Sequence, residues 1–239
     1  NISFKNFLLK KKDPLKIKKN LNYLLKNKSQ IIQSLSKGYK DSFDIKKIKK
    51  YKKFSNYRII GMGGSTLGAQ SIYDFLNKKI KKKFTFIDNL QADKKLEKKK
   101  NYANLIISKS GNTIETIVNA NILINKNDKN IFITENKKNY LYLYAKKLKS
   151  EIIHHNNFIG GRYSVLSEVG MLPAELMSLK TNNLRQLNDL IKNRSFFNHL
   201  ISNVGSTLHL IKKGKFNSVI INYDENADSL FKWYQQLIA

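Results

Sequence analysis

The sequence predicts a three-layer α/β/α fold around a mainly parallel five-stranded sheet, and three observations support this prediction. From residue 55 onward, short apolar runs that are typical of strands alternate with longer segments whose apolar residues recur at helical spacing. The runs are mainly apolar, which favours strands buried on both faces and joined by right-handed crossovers. Turns rich in small residues follow several runs, and ligands of such sheets bind at the carboxyl ends of the strands.

The alternation assigns each element to a stretch of the chain. The predicted strands of the sheet are 57–61, 84–88, 104–108, 130–134 and 151–155. The helices predicted after these strands are 65–77, 92–100, 113–125 and 139–149. Later helices are predicted at 165–179, 182–192, 196–212 and 227–239, and a strand at 217–223 would open a second sheet.

The first part of the chain is predicted to be helical and to carry no chemistry. Segments such as 21–35 have apolar residues at helical spacing, and Pro14 is expected near a helix start. We therefore predict a helical segment at 1–54 and a first α/β domain at 55–179. Residues 180–239 would form a helical connection and the truncated start of a second α/β domain.

Composition excludes several classes of protein. The 239 residues contain no cysteine, which excludes disulfides, thiolate metal sites and cysteine nucleophiles and fits a reducing compartment. No apolar run reaches the roughly 18 residues of a membrane span, and the chain begins with Asn rather than Met, without a hydrophobic signal segment. We expect a fragment of a soluble cytoplasmic protein without a membrane partner.

The formal charge of +28 suggests a nucleic-acid binder, but the kind of basic residue counts against it. All but four of the 45 basic residues are lysines, whereas proteins that read grooves and phosphates favour arginine for its bidentate geometry. The lysines are spread over every predicted helix and loop, which is typical of drift toward A/T-rich codons. We therefore predict no nucleic-acid partner.

The first candidate turn is Gly61-Met62-Gly63-Gly64-Ser65-Thr66-Leu67-Gly68, between the first strand and its helix. Glycines allow positive φ and close approach of a ligand to the backbone, and the helix N-terminus attracts an anion. The Ser and Thr hydroxyls add donors. A tight turn without any ligand is the alternative interpretation.

The second candidate turn is Ser108-Lys109-Ser110-Gly111-Asn112-Thr113-Ile114-Glu115-Thr116. Its hydroxyls, its lysine and the start of a helix are what a phosphate monoester needs, because several donors must converge on one dianion. The alternative is a hydroxyl-rich helix cap. Two such turns on one sheet favour an anion site.

The third candidate stretch is Gly160-Gly161-Arg162-Tyr163-Ser164-Val165-Leu166-Ser167, just after the fifth strand. Its glycine pair brings backbone close to another group and places an arginine at the same edge of the sheet. The alternative for Arg162 is a surface pair with a carboxylate such as Glu168, which would contribute little.

Together the three stretches resemble the ordered motifs of the phosphoglucose isomerase family, whose members contain two sugar isomerase (SIS) domains. The resemblance covers about residues 55–239 and implies a SIS-type domain plus the start of a second SIS-type domain. It also implies the interconversion of glucose 6-phosphate and fructose 6-phosphate through an enediolate. No metal or nucleotide cofactor is implied, and the full-length protein is expected to be a homodimer.

The resemblance assigns roles to individual residues. Arg162 would be catalytic, near C1 and C2 of the opened sugar, Gln236 would contact substrate, and Glu115 would support neighbouring groups or face solvent. Six residues would hold the sugar phosphate, namely Gly64, Ser65, Ser108, Lys109, Ser110 and Thr113.

The chain also departs from the family pattern. The family's catalytic glutamate would follow Ala239, and its ring-opening histidine and later lysine lie further on. We therefore expect this chain to bind sugar phosphate weakly and to turn nothing over. Four histidines match no catalytic position and are interpreted as surface or packing residues, namely His154, His155, His199 and His209.

Three other functions remain open at this stage, one of them a nucleic-acid binder driven by the net charge. Another SIS-domain isomerase, such as a dual glucose and mannose type, would share all three motifs. A SIS-domain sensor would bind sugar phosphate without catalysis, but it needs a DNA-binding module, and the first 54 residues show no convincing helix-turn-helix.

Overall fold

Residues 14–27, 29–90 and 101–238 are described by the structure, a computed structural model. They fall into two compact units. One unit contains the described residues before Lys40 together with Arg185–Ile221, and the other contains Lys40–Leu184 together with the described residues from Asn222 onward. The three-part division expected from the sequence, with boundaries at 54 and 179, stays a prediction.

The second unit contains the predicted parallel sheet. Its strands are β1 (Asn56–Gly61), β2 (Lys83–Ile87), β3 (Tyr102–Ile107), β4 (Lys129–Thr134) and β5 (Glu151–His154). They lie in the order β2-β1-β3-β4-β5, and every neighbouring pair is parallel. All carboxyl ends therefore lie at one edge of the sheet.

Ten α-helices are present in the described residues. In chain order they are α1 (Pro14–Lys26), α2 (Gln30–Ser34), α3 (Ile45–Ile48), α4 (Leu67–Phe75), α5 (Ile114–Leu123), α6 (Tyr140–Lys147), α7 (Glu168–Leu176), α8 (Leu187–Lys192), α9 (Arg194–Lys212) and α10 (Asp228–Ile238). Helices α3–α7 and α10 belong to the sheet unit, whereas α1, α2, α8 and α9 form the other unit.

Apolar side chains on both faces of the sheet produce the three layers. On one face the strands pack against α4 and α7 through Ile59, Leu105, Ile133, Ala69, Val169 and Leu172. On the other face they pack against α5 and α6 through Ile60, Ile106, Phe132, Ala120 and Leu141. Burial on both faces explains why the strands are mainly apolar, because no position in their middle faces water.

A buried row of polar residues crosses the opposite, amino-terminal half of the sheet. Arg58, Asn104 and Asn130 are register neighbours on β1, β3 and β4. The Arg58 guanidinium stacks 4.3 Å from the centre of the Tyr102 ring and donates to the Leu123 carbonyl at 2.9 Å. Burial lowers the pKa of Arg58, and Tyr102 and Asp128 offset part of this effect. This arginine therefore serves the fold.

The fold class and the five sheet strands predicted from the sequence are confirmed, with ends that agree within two residues. Helix α1 begins at Pro14, as expected, but the predicted run 21–35 is divided between α1 and α2. The run predicted at 165–179 begins as the 3-10 turn Gly161–Leu166 and becomes α-helical only in α7. The helix predicted at 92–100 lies outside the described residues.

The strand predicted at 217–223 is wrong for this structure. The segment is extended but unpaired, and the side chains of Val219 and Tyr223 are 84% and 95% exposed. A strand needs a neighbour for its backbone N–H and C=O groups, and the described part of the chain offers none at this position. The apolar run therefore carries the pattern of a strand without forming one. Within the described ranges, no helix is long and apolar enough to span a bilayer.

Candidate functional site

The three candidate stretches meet at the carboxyl edge of the sheet. The first follows β1, the second follows β3, and the third follows β5 and leads into α7. Strands β1 and β3 are direct neighbours, and β4 and β5 continue the sheet on the same side. Parallel pairing thus places all three at one edge, as the sequence predicts.

A close backbone contact at this edge joins the first and third stretches. A Cβ atom on Gly64 would lie 2.3 Å from the carbonyl carbon of Gly161 and 2.7 Å from the backbone nitrogen of Arg162. The Ser164 hydroxyl donates to the Gly161 carbonyl at 2.7 Å and to the Gly64 carbonyl at 3.4 Å. Because no side chain fits between the two backbones, this contact fixes the position of the Arg162 backbone nitrogen.

Arg162 is exposed and its guanidinium has no partner among the described residues. The alternative pairing with Glu168 is not observed. Glu168 is fully buried and instead accepts a hydrogen bond from the Asn156 backbone at 2.5 Å. The Arg162 carbonyl accepts from the indole N–H of Trp233 at 3.1 Å, so α10 anchors the backbone while the charge stays available.

Gln236 of α10 lies against the first turn. A Cβ on Gly63 would be 2.8 Å from the Gln236 Nε2 atom. Helix α10 is tied to α4 by a hydrogen bond of 2.8 Å from the Ser71 hydroxyl to the Ser229 carbonyl. The Gln236 Oε1 atom is buried and has no hydrogen-bond partner within the described residues. The residue predicted to contact substrate thus has an unused acceptor at the turn.

In the second stretch, the hydroxyls divide into an inner and an outer set. Ser108 is buried, and its Oγ lies 2.9 Å from the Thr113 Oγ1 atom while accepting from the Gly111 backbone at 3.2 Å. Ser110 is exposed, and its hydroxyl accepts from the Asn112 backbone. Ser110 and half-buried Thr113 therefore form the outer surface of the turn, whereas Ser108 supports it from below.

Helix α6 holds the second stretch in shape. Gly111 has φ +67°, and a Cβ there would lie 1.9 Å from the Asn139 Oδ1 atom. Asn139 caps α6 by accepting from the Tyr142 backbone at 2.9 Å and donates to the Thr134 hydroxyl at 3.0 Å. The small residue at position 111 is therefore required by its neighbour as well as by its backbone conformation.

Lys109 connects the second stretch to the third. Its ammonium donates to the Asn157 carbonyl at 2.8 Å and lies 3.6 Å from the Glu135 carboxylate. Glu135 also pairs with Lys137 at 3.0 Å. Burial by itself would raise the pKa of Glu135, but hydrogen bonds and charges from Lys137 and Lys109 together lower it. The predicted phosphate lysine thus already has an acidic neighbour.

Three helices begin at this edge without a side-chain cap. Helices α4, α5 and α7 have Thr66, Thr113 and Ser167 as their N-cap residues, and none of these side chains accepts from the helix backbone. The helix-cap alternative for the second stretch is therefore not observed, because the Thr113 hydroxyl bonds Ser108 instead. No N-cap side chain therefore competes with an anion for the first N–H groups of these helices.

Thr116 ends the second stretch, and the sequence reasoning gave its side chain no separate role. Its Oγ1 atom is buried and has no hydrogen-bond partner in the described ranges. It lies three residues after Thr113 in α5, and helical spacing puts both on one side of the helix. This spacing was the signal that could have identified it. Glu115, between them, is half-buried.

His155 is buried behind the third stretch. It is 2% exposed, its Nδ1 atom lies 3.0 Å from the Asn156 carbonyl and 4.0 Å from Glu168 Oε1, and burial lowers its pKa to about 4. His154 is exposed, and His199 and His209 are half-buried. Across residues 14–27, 29–90 and 101–238, no three acidic or histidine side chains come together as a metal site would require.

The chain is similar to a known protein family and to individual members of it. The family model described as phosphoglucose isomerase matches residues 16–237. A glucose-6-phosphate isomerase of Methanocaldococcus jannaschii is 32% identical, with 84% of this chain and 55% of that protein covered. A glucose-6-phosphate isomerase of the Aster yellows witches'-broom phytoplasma is 28% identical, with 82% and 54% covered.

A solved structure shows the same fold. A hypothetical protein from Thermus thermophilus superposes with a TM-score of 0.72 at 20% sequence identity, covering 94% of this chain and 58% of its own. From the coverage of the two isomerases, the chain spans about half the length of the curated relatives it matches.

Replacing Gly64 by alanine should separate the first and third stretches. The new methyl group would overlap the Gly161 backbone, which cannot rotate away, so we expect a loss of about 1–3 kcal/mol in the free energy of unfolding. Urea denaturation checks this. Gly38→Ala is the matched control, because a Cβ at Gly38 meets nothing within 4 Å. Equal stability of the two variants would contradict the contact.

Buried His155 should make the protein less stable in acid. Its pKa is about 4 in the folded protein, against roughly 6.5 in the unfolded chain. The unfolded state therefore binds more protons between these values, and stability present above pH 6.5 is lost as pH falls toward 4. The full difference corresponds to about 3 kcal/mol. Urea denaturation at several pH values should show this slope, and His155→Gln should flatten it, whereas His154→Gln should not.

Proposed function

Because the chain belongs to the phosphoglucose isomerase family, we propose that it forms the sugar-phosphate site of an isomerase acting on glucose 6-phosphate and fructose 6-phosphate. The observation that carries this proposal is the Gly64–Gly161 contact. It joins a hydroxyl-bearing turn to the loop with Arg162, so a phosphate site and a free guanidinium lie at one edge of the sheet.

The phosphate would lie at the starts of α4 and α5. Ser65, Ser110 and Thr113 supply hydroxyl donors there, and the uncapped N–H groups of both helices supply backbone donors. Thr116 adds a hydroxyl that no described residue satisfies. A buried unpaired hydroxyl costs free energy, so its presence is accounted for if a ligand supplies the partner.

The reacting carbons would lie toward Arg162 and Gln236. Exchange between aldose and ketose moves a proton between C2 and C1 through an anionic enediolate. A fixed cation beside that anion lowers the barrier, typically by a few kcal/mol, and the Arg162 guanidinium has no competing carboxylate in the described part of the chain. The Gln236 Oε1 atom could accept from a sugar hydroxyl.

In this proposal the chain binds and orients the sugar rather than moving the proton. The phosphate supplies binding energy far from the reacting carbons and so fixes their position. We propose, as the family resemblance implies, that the base is the residue after Ala239 and that the ring-opening histidine lies beyond it. We further propose that the complete protein works in the cytoplasm as a homodimer, without a metal or nucleotide cofactor.

Titration of the chain with sugar phosphates, followed by amide NMR shifts, tests the site. We expect glucose 6-phosphate and fructose 6-phosphate to shift residues 61–66, 108–116 and 160–163, and glucose to shift none, because the phosphate supplies most of the binding energy. Ser110→Ala should weaken binding about ten- to a hundredfold, as expected for a hydrogen bond to a charged group.

The control for this titration is Ser218→Ala, at an exposed position outside the three stretches. An equal response to mannose 6-phosphate would favour the dual glucose and mannose type. Shifts spread over surface lysines and reproduced by sodium sulfate at the same ionic strength would contradict the proposal.

Thr116→Val should separate binding from stability. Valine has nearly the same shape but no hydroxyl, so the folded protein loses an unsatisfied polar atom and should be as stable as before or gain up to about 1 kcal/mol. Affinity for glucose 6-phosphate should nevertheless fall. Urea denaturation and the NMR titration measure the two effects. A variant that binds as well as the original chain would remove Thr116 from the site.

A further inference from the structure

Glu135 lies directly beside the lysine of the proposed phosphate site. Its backbone N–H donates to the Lys109 carbonyl at 3.1 Å, and the hydroxyl of neighbouring Thr134 donates to the same carbonyl at 3.3 Å. These bonds join the carboxyl ends of β3 and β4. The Glu135 backbone therefore cannot move away from that of Lys109 without breaking these bonds at the edge of the sheet.

The carboxylate is shared between two lysines of different exposure. Lys109, 30% exposed, lies 3.6 Å from one oxygen, and Lys137, 67% exposed, lies 3.0 Å from the other. The Glu135 side chain itself is 12% exposed, so water screens it less than it screens a surface pair. Part of the Lys109 charge is thus already neutralised in the free protein.

A ligand phosphate at Lys109 must compete with this internal anion. Repulsion between Glu135 and the ligand grows in proportion to the ligand's charge, so it penalises a dianion more than a monoanion. Lys137 reduces the penalty, because its ammonium pairs with the same carboxylate from the solvent side and offsets part of its negative charge.

We propose that Glu135 determines the charge selectivity of the site by competing with the bound phosphate for Lys109, and that Lys137 acts through Glu135. This inference rests on the proposed function. Glu135 limits how tightly a doubly charged ester is held, and Lys137 is a positioning residue that sets how strongly Glu135 competes.

The test is the affinity of Glu135→Gln for a dianionic and a monoanionic ester of the same sugar. At pH 8 glucose 6-phosphate carries two charges, since the second phosphate pKa is near 6, whereas glucose 6-sulfate carries one. The amide oxygen of Gln can still accept from Lys109, so only the charge is removed. We expect binding of the phosphate ester to tighten about fivefold and of the sulfate ester about twofold, because the energy scales with ligand charge.

If Glu135 instead serves to hold Lys109 in place, Glu135→Gln would weaken both esters or affect them equally, and either result would overturn the inference. Absence of glucose 6-phosphate binding to the unchanged chain would overturn the proposed function as well. Binding without a gain in the variant would overturn the inference alone.

Lys137 provides an independent check that does not depend on the folding of the Glu135 variant. Lys137→Gln should weaken phosphate-ester binding about twofold, as expected for an exposed pair. Lys138→Gln is the matched control. It removes the same charge from the next residue in the chain, and the exposed Lys138 side chain has no contact with Glu135. We expect a smaller loss there. In the Glu135→Gln background the two lysine variants should become equal, whereas an unchanged difference would show that Lys137 acts on the ligand directly and would overturn its role.

Discussion

The backbone contact between Gly64 and Gly161 is the constraint on which the rest of the site depends. Two loops from β1 and β5 lie in van der Waals contact with no room for a side chain between them, and Ser164 links both carbonyls from the third stretch. The sheet brings the loops to one edge, but only this contact sets their separation. Arg162 follows at once in the chain, so its position relative to the first turn is fixed by backbone rather than by flexible side-chain contacts.

At the same edge, some buried polar groups have hydrogen-bond partners within the described residues and others have none. Ser108, Asn139 and Thr134 are hydrogen-bonded within the protein and hold the second stretch rigid. Thr116 and Gln236 each retain a buried oxygen without a partner among the described residues. Folding normally satisfies such atoms, because each unpaired one costs free energy. Two of them at one edge, on helices that approach it from different parts of the chain, are more economically explained by a ligand than by chance.

The sequence predicts those features that depend on local pattern. Apolar runs identify β1–β5, because burial on both faces removes polar positions, and small residues after β1 and β3 identify the turns. Features that depend on partners distant in sequence could not be predicted. The run 217–223 has a strand pattern but no neighbouring strand among the described residues, and Glu135 reaches Lys109 only because β3 and β4 are paired. Thr116 lies between these cases, since its spacing from Thr113 is local but its lack of a partner in the described ranges is visible only in three dimensions.

Lys109 shows why residue type alone does not define a binding group. By sequence it is a cation in a hydroxyl-rich turn, but in the structure it bridges to the Asn157 carbonyl and shares Glu135 with Lys137. Its ammonium therefore holds the segment that leads into the third stretch. A ligand that draws Lys109 away would loosen the link to Asn157, four residues before Gly161. Under the proposed function, phosphate binding would therefore act on the segment that leads to Arg162, whereas the Gly64–Gly161 contact would keep the Arg162 backbone in place.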